Sequence, residues 1–154
     1  AAAHNLDLSS IDITALRTAT VAEAASKLAA IPDIRQALSE FQKSFARAPG
    51  GAVLDGRDIG TVICPKAEAK LFVTARAETR AQRRFAELKR SDKTAQYGDV
   101  LKAVLERDAR DKTRASAPLQ AASDAYLLDT SDLTIEQAFS DAITYIAKIR
   151  RDEA

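Results

Sequence analysis

The segment Gly56-Arg57-Asp58-Ile59-Gly60 places a guanidinium beside a carboxylate, between two glycines. It follows a short apolar run at 52–55, which predicts a buried strand whose carboxyl end delivers Arg57 and Asp58 into a crevice. An arginine and a carboxylate fixed at a strand end can hold a charged, hydrogen-bonding small molecule. The competing interpretation is a surface ion pair in an ordinary turn.

A second group of charged residues follows helical spacing. Arg107, Asp111 and Arg114 lie at i, i+4 and i+7 and therefore share one face of a helix. Guanidinium groups grip phosphate oxygens, whereas a carboxylate accepts hydrogen bonds from sugar hydroxyls or orients neighbouring arginines. Such a face suits a ligand with hydroxyls and a phosphate. A solvated helix laced by intrahelical salt bridges is the alternative, and the spacing leaves both open.

A third cluster, Arg80 with Arg83 and Arg84, is equally ambiguous. If it faces a cleft, it neutralises transferring phosphates, because phosphoryl transfer depends mainly on positioning and positive charge. Otherwise the three arginines are ordinary exposed residues of a helix surface. No Cys or His spacing fits a metal site, and Cys64, in a predicted buried strand, is expected to be an inert thiol.

Composition excludes several classes of protein. A chain of 154 residues is about one domain, and its net charge of +1 implies neither nucleic-acid nor membrane binding. The single cysteine excludes a disulfide framework and predicts a reducing, cytoplasmic location. No apolar run is long enough to span a bilayer, and the first residues do not resemble a signal peptide. Because methionine is absent even at position 1, we expect the chain to begin inside a longer protein.

Helical patterns alternate with apolar runs, which predicts an α/β domain with a mainly parallel sheet. The last helix opens with the capping-box pattern Thr134-Ile-Glu-Gln137. Its apolar stripe is expected to lie in the core; it consists of Ile135, Phe139, Ala142, Ile146 and Ile149. The other predicted elements are helices at 18–30, from Pro32 to a stop at Pro49-Gly50-Gly51, at 77–90 and at 96–112, and strands at 52–55, 70–74 and 126–129.

Together these motifs resemble those of bacterial cytidylate kinases, in order and with sensible spacing from about Leu16 to Arg150. The motifs that carry the resemblance are Asp55-Gly-Arg-Asp-Ile-Gly-Thr61, Glu106-Arg-Asp-x-Arg-Asp-x-x-Arg114, Ala117-Pro-Leu119, and Leu128-Asp-Thr-Ser131 with Ile135-Glu136. Each is weak alone, but their combination is specific.

The resemblance implies the α/β core of a P-loop nucleoside monophosphate kinase, here with an incomplete parallel sheet, helices on both faces and a helical lid. It implies transfer of the γ-phosphoryl group of ATP, with Mg²⁺, to CMP or dCMP. The parts would be a helical acceptor-binding part at 1–47, a core at 48–78 and 115–154, and lid helices at 79–114, all in one folded unit.

The resemblance also implies roles for individual residues. Ser26, Arg35 and Asp58 would recognise the cytosine edge, whose exocyclic amine uracil lacks. Arg57 and Arg114 would hold the acceptor phosphate, and Arg107 and Asp111 would bind the ribose hydroxyls. The donor phosphates would be approached by Arg80, Arg83 and Arg84, of which Arg80 and Arg84 would bind ATP. The implied catalytic group is Arg80, Arg83, Arg84, Arg107 and Arg114, with no metal ligand from the protein.

The sequence departs from the family pattern in one respect. It contains five glycines, none of them beside a lysine, so the Gly-x-x-x-x-Gly-Lys loop that cradles donor phosphates does not occur. We therefore expect an absent N-terminal core segment, no useful kinase activity from this chain alone, and an exposed sheet edge through which it associates, although the parent would be monomeric. The alternatives are a noncatalytic nucleotide- or RNA-phosphate-binding module and a purely structural domain.

Overall fold

The computed structural model describes residues 16, 18–29, 31–113 and 117–152, apart from the side chains of Ala19, Ser26 and Asp152. The chain divides into two compact units, residues 1–55 and 56–154. Within the described residues the helices are α1 (Ala19–Leu28), α2 (Pro32–Ala46), α3 (Ala77–Ser91), α4 (Tyr97–Thr113) and α5 (Ile135–Asp152), the strands are β1 (Leu71–Thr74) and β2 (Tyr126–Asp129), and Ile59–Ile63 form a π-helical turn.

The two helices of the first unit begin where the sequence predicts, and each ends two to three residues before its predicted limit. Thr18 caps α1, because its hydroxyl oxygen accepts a hydrogen bond from the Val21 backbone N–H at 3.2 Å. Pro32 occupies the first turn of α2, where its fixed φ suits a helix start. After α2 the backbone takes positive φ at Gly50 (95°) and Gly51 (82°), a conformation that glycine adopts without steric cost.

The second unit contains a parallel pair of strands. Leu71 lies opposite Tyr126 and Thr74 opposite Asp129, so both strands run in the same direction. The connection between them contains α3 and α4, as the crossover of a parallel pair requires. The prediction of an α/β fold with a parallel sheet is confirmed, and both strand segments lie where the apolar runs placed them.

The strand predicted at 52–55 is wrong. Residues 51–55 form no regular element, and Val53 is 97% exposed. A strand needs a neighbour that satisfies its backbone N–H and C=O groups, and β1 and β2 pair with each other rather than with this segment. Cys64 is not in a strand either, because it directly follows the π-helical turn and is half-buried.

A small core joins the two central helices. Ala81 of α3 is completely buried, and Val100 of α4 is 8% exposed. Near them, the rings of Phe85 and Tyr97 meet edge to face with 6.1 Å between centroids. A short side chain at position 81 lets the helices approach closely, which sets the distance between charged groups on α3 and α4.

The predicted capping box of α5 is confirmed. The Thr134 N–H donates to the Gln137 side-chain oxygen at 2.9 Å, and the Gln137 N–H donates to the Thr134 hydroxyl oxygen at 3.2 Å. The Tyr145 ring stacks on Tyr126 of β2 with 4.7 Å between centroids. The prediction that the whole apolar stripe is core is wrong, because Ile135 is 85% exposed and Phe139 is 67% exposed.

None of the helices in the described ranges is long and apolar enough to cross a membrane.

Candidate functional site

The Gly56–Gly60 motif forms a tight turn rather than a strand end. The carbonyl oxygen of Asp58 accepts hydrogen bonds from the N–H groups of Thr61 (3.3 Å), Val62 (2.8 Å) and Ile63 (3.2 Å). Three donors converge on one carbonyl, and the turn widens into a π-helix, a feature that is frequent at functional sites. Arg57 lies two residues before the π-helical turn, and its side chain extends to Asp111 of α4.

Arg57 is held by a buried carboxylate. Its Nε–H donates to Asp111 Oδ2 at 2.9 Å, and the Asp111 side chain is only 3% exposed, whereas that of Arg57 is 38% exposed. The two Nη atoms of Arg57 make no hydrogen bond to any other residue that the structure describes. The carboxylate therefore fixes the orientation of the guanidinium, and its two terminal amines remain available to an anionic ligand.

Arg107 approaches the same carboxylate from one helical turn earlier. Its Nε lies 4.0 Å from Asp111 Oδ2, as the i, i+4 spacing predicts. The Asp111 backbone oxygen accepts a hydrogen bond from the Leu119 N–H at 2.8 Å, which ties the end of α4 to the next loop. Ala117 in that loop has φ of 51°, a left-handed conformation that is costly for a residue other than glycine. Arg57, Arg107 and Asp111 thus meet at one place.

Arg80 lies in the contact between α3 and α4. Its Nε–H donates to the Ala75 carbonyl at 3.0 Å, and its Nη atoms donate to both oxygens of Asp108 at 2.9 and 2.6 Å. These hydrogen bonds lower the pKa of the Asp108 carboxyl and raise the pKa of Arg80. All three guanidinium nitrogens therefore donate one hydrogen bond to protein groups, and each Nη atom keeps a second N–H.

The other two arginines of the predicted cluster, Arg83 and Arg84, are also bound to protein groups. Arg83 donates to the Thr130 hydroxyl at 3.0 Å and to the Thr130 carbonyl at 2.6 Å, which clamps α3 to the end of β2. Arg84 forms an i, i+3 pair with Glu87 at 3.2 Å on the helix surface. Contact with donor phosphates stays a prediction for both.

The predicted base-recognition residues are distributed between the two units. Arg35 lies on α2 in the first unit, where an Nη atom donates to the Ala29 carbonyl at 3.4 Å. Asp58 is half-buried in the second unit. The side chain of Ser26, and Arg114 as a whole, lie outside the described residues. Over the described ranges, no group of three or more His, Cys, Asp or Glu residues could hold a metal ion.

A hydrogen-bond network among the residues that follow the carboxyl ends of β1 and β2 was not predicted from the sequence. The Arg76 N–H donates to the Ser131 hydroxyl at 2.8 Å, and that hydroxyl donates to Asp129 at 2.6 Å. The hydrogen bond from the Ser131 hydroxyl is the main cause of the lowered pKa of the Asp129 carboxyl. Arg76 also makes two hydrogen bonds to Asp132, at 3.0 and 2.5 Å. The sequence could have predicted this contact. Arg76 and Ser131 each lie two residues after a predicted strand, and the carboxyl ends of parallel strands meet at the same edge of the sheet.

Lys70 was also missed. Its ammonium is buried and donates to the Pro65 carbonyl at 2.6 Å and to Asp124 at 2.5 Å. Its position as the first residue of a predicted strand did not indicate burial, because lysine is almost never buried unless it is paired.

Parallel strands connected by helices, with arginines anchored on carboxylates, define an α/β protein suited to anionic ligands such as nucleotides. The chain belongs to the cytidylate kinase family, because the family model described as cytidylate kinase matches residues 5–148. That match covers the Arg57, Arg107 and Asp111 site and all the helices and strands of the second unit except the last residues of α5.

Three bacterial relatives support the assignment, and each is named cytidylate kinase. The protein from Azorhizobium caulinodans is 54% identical over 149 residues, which cover 97% of this chain and 72% of the relative. The Cereibacter sphaeroides protein is 55% identical, with 95% and 71% covered. The Mesorhizobium japonicum protein is 48% identical, with 99% and 72% covered.

Proposed function

We propose that this chain takes part in transfer of the γ-phosphoryl group of ATP to CMP or dCMP, giving CDP or dCDP. Membership of the cytidylate kinase family supports the reaction class. The observation that carries the proposal for this chain is the Arg57–Asp111 pair, because it holds an arginine rigidly with both terminal amines open to a ligand phosphate. Preorganised donors of this kind contribute most to phosphate binding and to phosphoryl transfer.

The acceptor nucleotide would bind through three groups of side chains. Arg57, together with Arg114, would hold the acceptor phosphate, and Arg107 with Asp111 would bind the ribose hydroxyls. Arg35, Asp58 and Ser26 then read the cytosine edge, where the exocyclic amine donates to a carboxylate. Uracil presents a carbonyl oxygen at that position, so a carboxylate facing it would be left unpaired and repelled.

The donor enters as ATP with its Mg²⁺, which is part of the substrate. Arg80, Arg83 and Arg84 would neutralise the transferring phosphates, with residues 79–114 acting as a lid. Arg80 is oriented by Asp108 and Arg83 by Thr130, and N–H groups that these bonds do not use would contact the ATP phosphates. No general base is needed from the protein, because the acceptor is already an ionised phosphate.

The 154 residues contain no Gly-x-x-x-x-Gly-Lys sequence. That loop supplies the backbone amides and lysine that cradle donor phosphates in P-loop kinases. We therefore expect this chain by itself to bind CMP without phosphorylating it at a useful rate, and kinase activity to belong to a longer parent chain. Normal CMP phosphorylation by the isolated 154 residues in a coupled assay would contradict this expectation.

Calorimetric titration of the chain with CMP, UMP and AMP tests the proposal. CMP-selective binding is the expected result. Binding that ignores the base and weakens steeply with salt would instead support a noncatalytic phosphate- or RNA-binding module, because nonspecific phosphate contacts are strongly salt-dependent. An absence of binding to all three nucleotides would refute the proposal.

A further inference from the structure

Lys70 lies under the turn that carries Arg57 and Asp58, although no part of the proposed chemistry uses it. A Cβ atom placed on Gly60 would lie 3.5 Å from Lys70 Cδ and 3.8 Å from Lys70 Cγ, so the lysine stem packs against the turn. At the far end of the stem, the ammonium donates to the carbonyl of Pro65, two residues after the turn ends. One side chain therefore supports the turn in its middle and at its exit.

The same ammonium reaches across to the loop between α4 and β2. It donates to Asp124 Oδ2 at 2.5 Å, and the Lys70 side chain is 7% exposed while that of Asp124 is 62% exposed. A buried ammonium loses much of its hydration and is retained only where its hydrogen bonds replace that hydration. Here the bonds join two segments that are 54 residues apart along the chain.

These two segments are also joined at their other ends. The first segment runs from Arg57 to Pro65, and the second runs from Asp111 through the loop to Asp124. Arg57 binds Asp111 at one end, at 2.9 Å, and Lys70 binds Pro65 and Asp124 at the other. Two fixed ends prevent the turn from rotating about a single contact, which holds Arg57 in one orientation.

We propose that Lys70 is a positioning residue, which holds the Arg57 guanidinium against Asp111 by bracing the turn at Gly60 and Pro65 and anchoring it on Asp124. The effect that we expect of Lys70 on CMP binding rests on the proposed function. The effect on the orientation of Arg57 does not, because the contacts of Lys70 with Gly60, Pro65 and Asp124 form without a nucleotide.

The test compares Lys70→Met with Lys66→Met in the full chain. Methionine keeps an unbranched stem against Gly60 but removes the ammonium, and Lys66 is an exposed lysine in the same segment. The nitrogen NMR resonance of the Arg57 Nε–H group reports its hydrogen bond to Asp111 directly. In Lys70→Met we expect this resonance to move toward that of a free arginine, its exchange with water to accelerate, and CMP affinity to fall about tenfold through misplacement of the guanidinium. Lys66→Met should match the unchanged chain in all three measurements.

An unchanged Arg57 resonance in folded Lys70→Met overturns the proposal, even if the variant is less stable, because a merely structural lysine would lower stability without moving that signal. An equal change in Lys66→Met overturns it as well. If Lys70→Met does not fold, Asp124→Ala decides by the same resonance, since Asp124 is exposed and alanine has no side-chain acceptor for the Lys70 ammonium. If the unchanged chain binds no CMP, the proposed function fails, while the resonance comparison still decides the role of Lys70.

Discussion

At the scale of single residues, the burial of the paired carboxylate distinguishes Arg57 from Arg84. Arg57 is bound through Nε to a carboxylate that is 3% exposed, so the pair is shielded from solvent on the Asp111 side. Arg84 pairs with a glutamate that is 65% exposed, and such surface pairs contribute little. The residue types are identical, so the two arginines differ in how firmly a carboxylate partner fixes the guanidinium before a ligand binds.

Arg57→Lys tests that distinction. A lysine has one ammonium, which cannot bind Asp111 and grip a phosphate from two further nitrogens at the same time. We expect CMP affinity to fall about 10- to 100-fold, a loss typical of a broken charge-assisted hydrogen-bond pair. Calorimetry measures the affinity, and Arg90→Lys, at an exposed position near the end of α3, is the control. Equal affinity of Arg57→Lys and the unchanged chain would show that Arg57 does not contact the phosphate.

At the scale of elements, the contact between α3 and α4 combines a small apolar core with one ion pair. Arg80 and Asp108 are 37% and 25% exposed, so solvent screens the pair in part. The Arg80 hydrogen bonds lower the pKa of Asp108 from its ordinary 3.8. A carboxyl with a lowered folded-state pKa stabilises the fold above its unfolded pKa, and this contribution is lost as pH falls through the folded pKa.

Asp108→Asn should therefore change how stability depends on pH. We expect the unchanged chain to be more stable than the variant by about 1 kcal/mol near neutral pH. The difference should shrink as pH falls below about 4, because the wild-type carboxyl then becomes protonated and loses its charge. Urea unfolding at a series of pH values measures it. A difference that stays constant down to pH values of about 2.5 would contradict the assigned cause.

The elements also explain what the sequence could and could not predict. Helices α1 to α5 were predictable because their signals are local, such as the Thr134 and Gln137 capping pair and the proline that opens α2. The segment 52–55 was mispredicted, since a strand depends on a partner elsewhere in the chain. The Arg107 and Asp111 contact follows from helical spacing, whereas the Arg57 and Asp111 contact joins residues 54 positions apart, and only the folded backbone reveals it.

At the scale of the whole molecule, the near-neutral charge of +1 conceals a strongly local distribution. Around Asp111 two arginines, Arg57 and Arg107, approach one buried carboxylate. Beyond the strands, Arg76 is instead matched by Asp132 at the surface. Total charge therefore says little about ligands here, and the convergence of two arginines on Asp111 is the feature consistent with membership of the cytidylate kinase family.

The second unit draws its stability from few buried apolar side chains. Leu128 of β2 is 5% exposed, whereas Phe139, which the sequence predicts to be core, is 67% exposed. Helical periodicity identifies an apolar face, but it does not establish what covers that face. In α5 the contact with the sheet runs instead through the ring of Tyr145 on Tyr126.

Phe139→Ser and Leu128→Ala should accordingly differ in the free energy of unfolding. The serine variant should change it by no more than about 0.5 kcal/mol, because an exposed ring gains little from its neighbours. Removing the buried leucine should cost about 2 to 5 kcal/mol through lost burial and the cavity left behind. Urea denaturation of both variants, followed by circular dichroism, measures the two values. A loss of about 3 kcal/mol or more in Phe139→Ser would mean that the ring is buried in solution, as the helical pattern predicts, and would contradict the exposed face of α5.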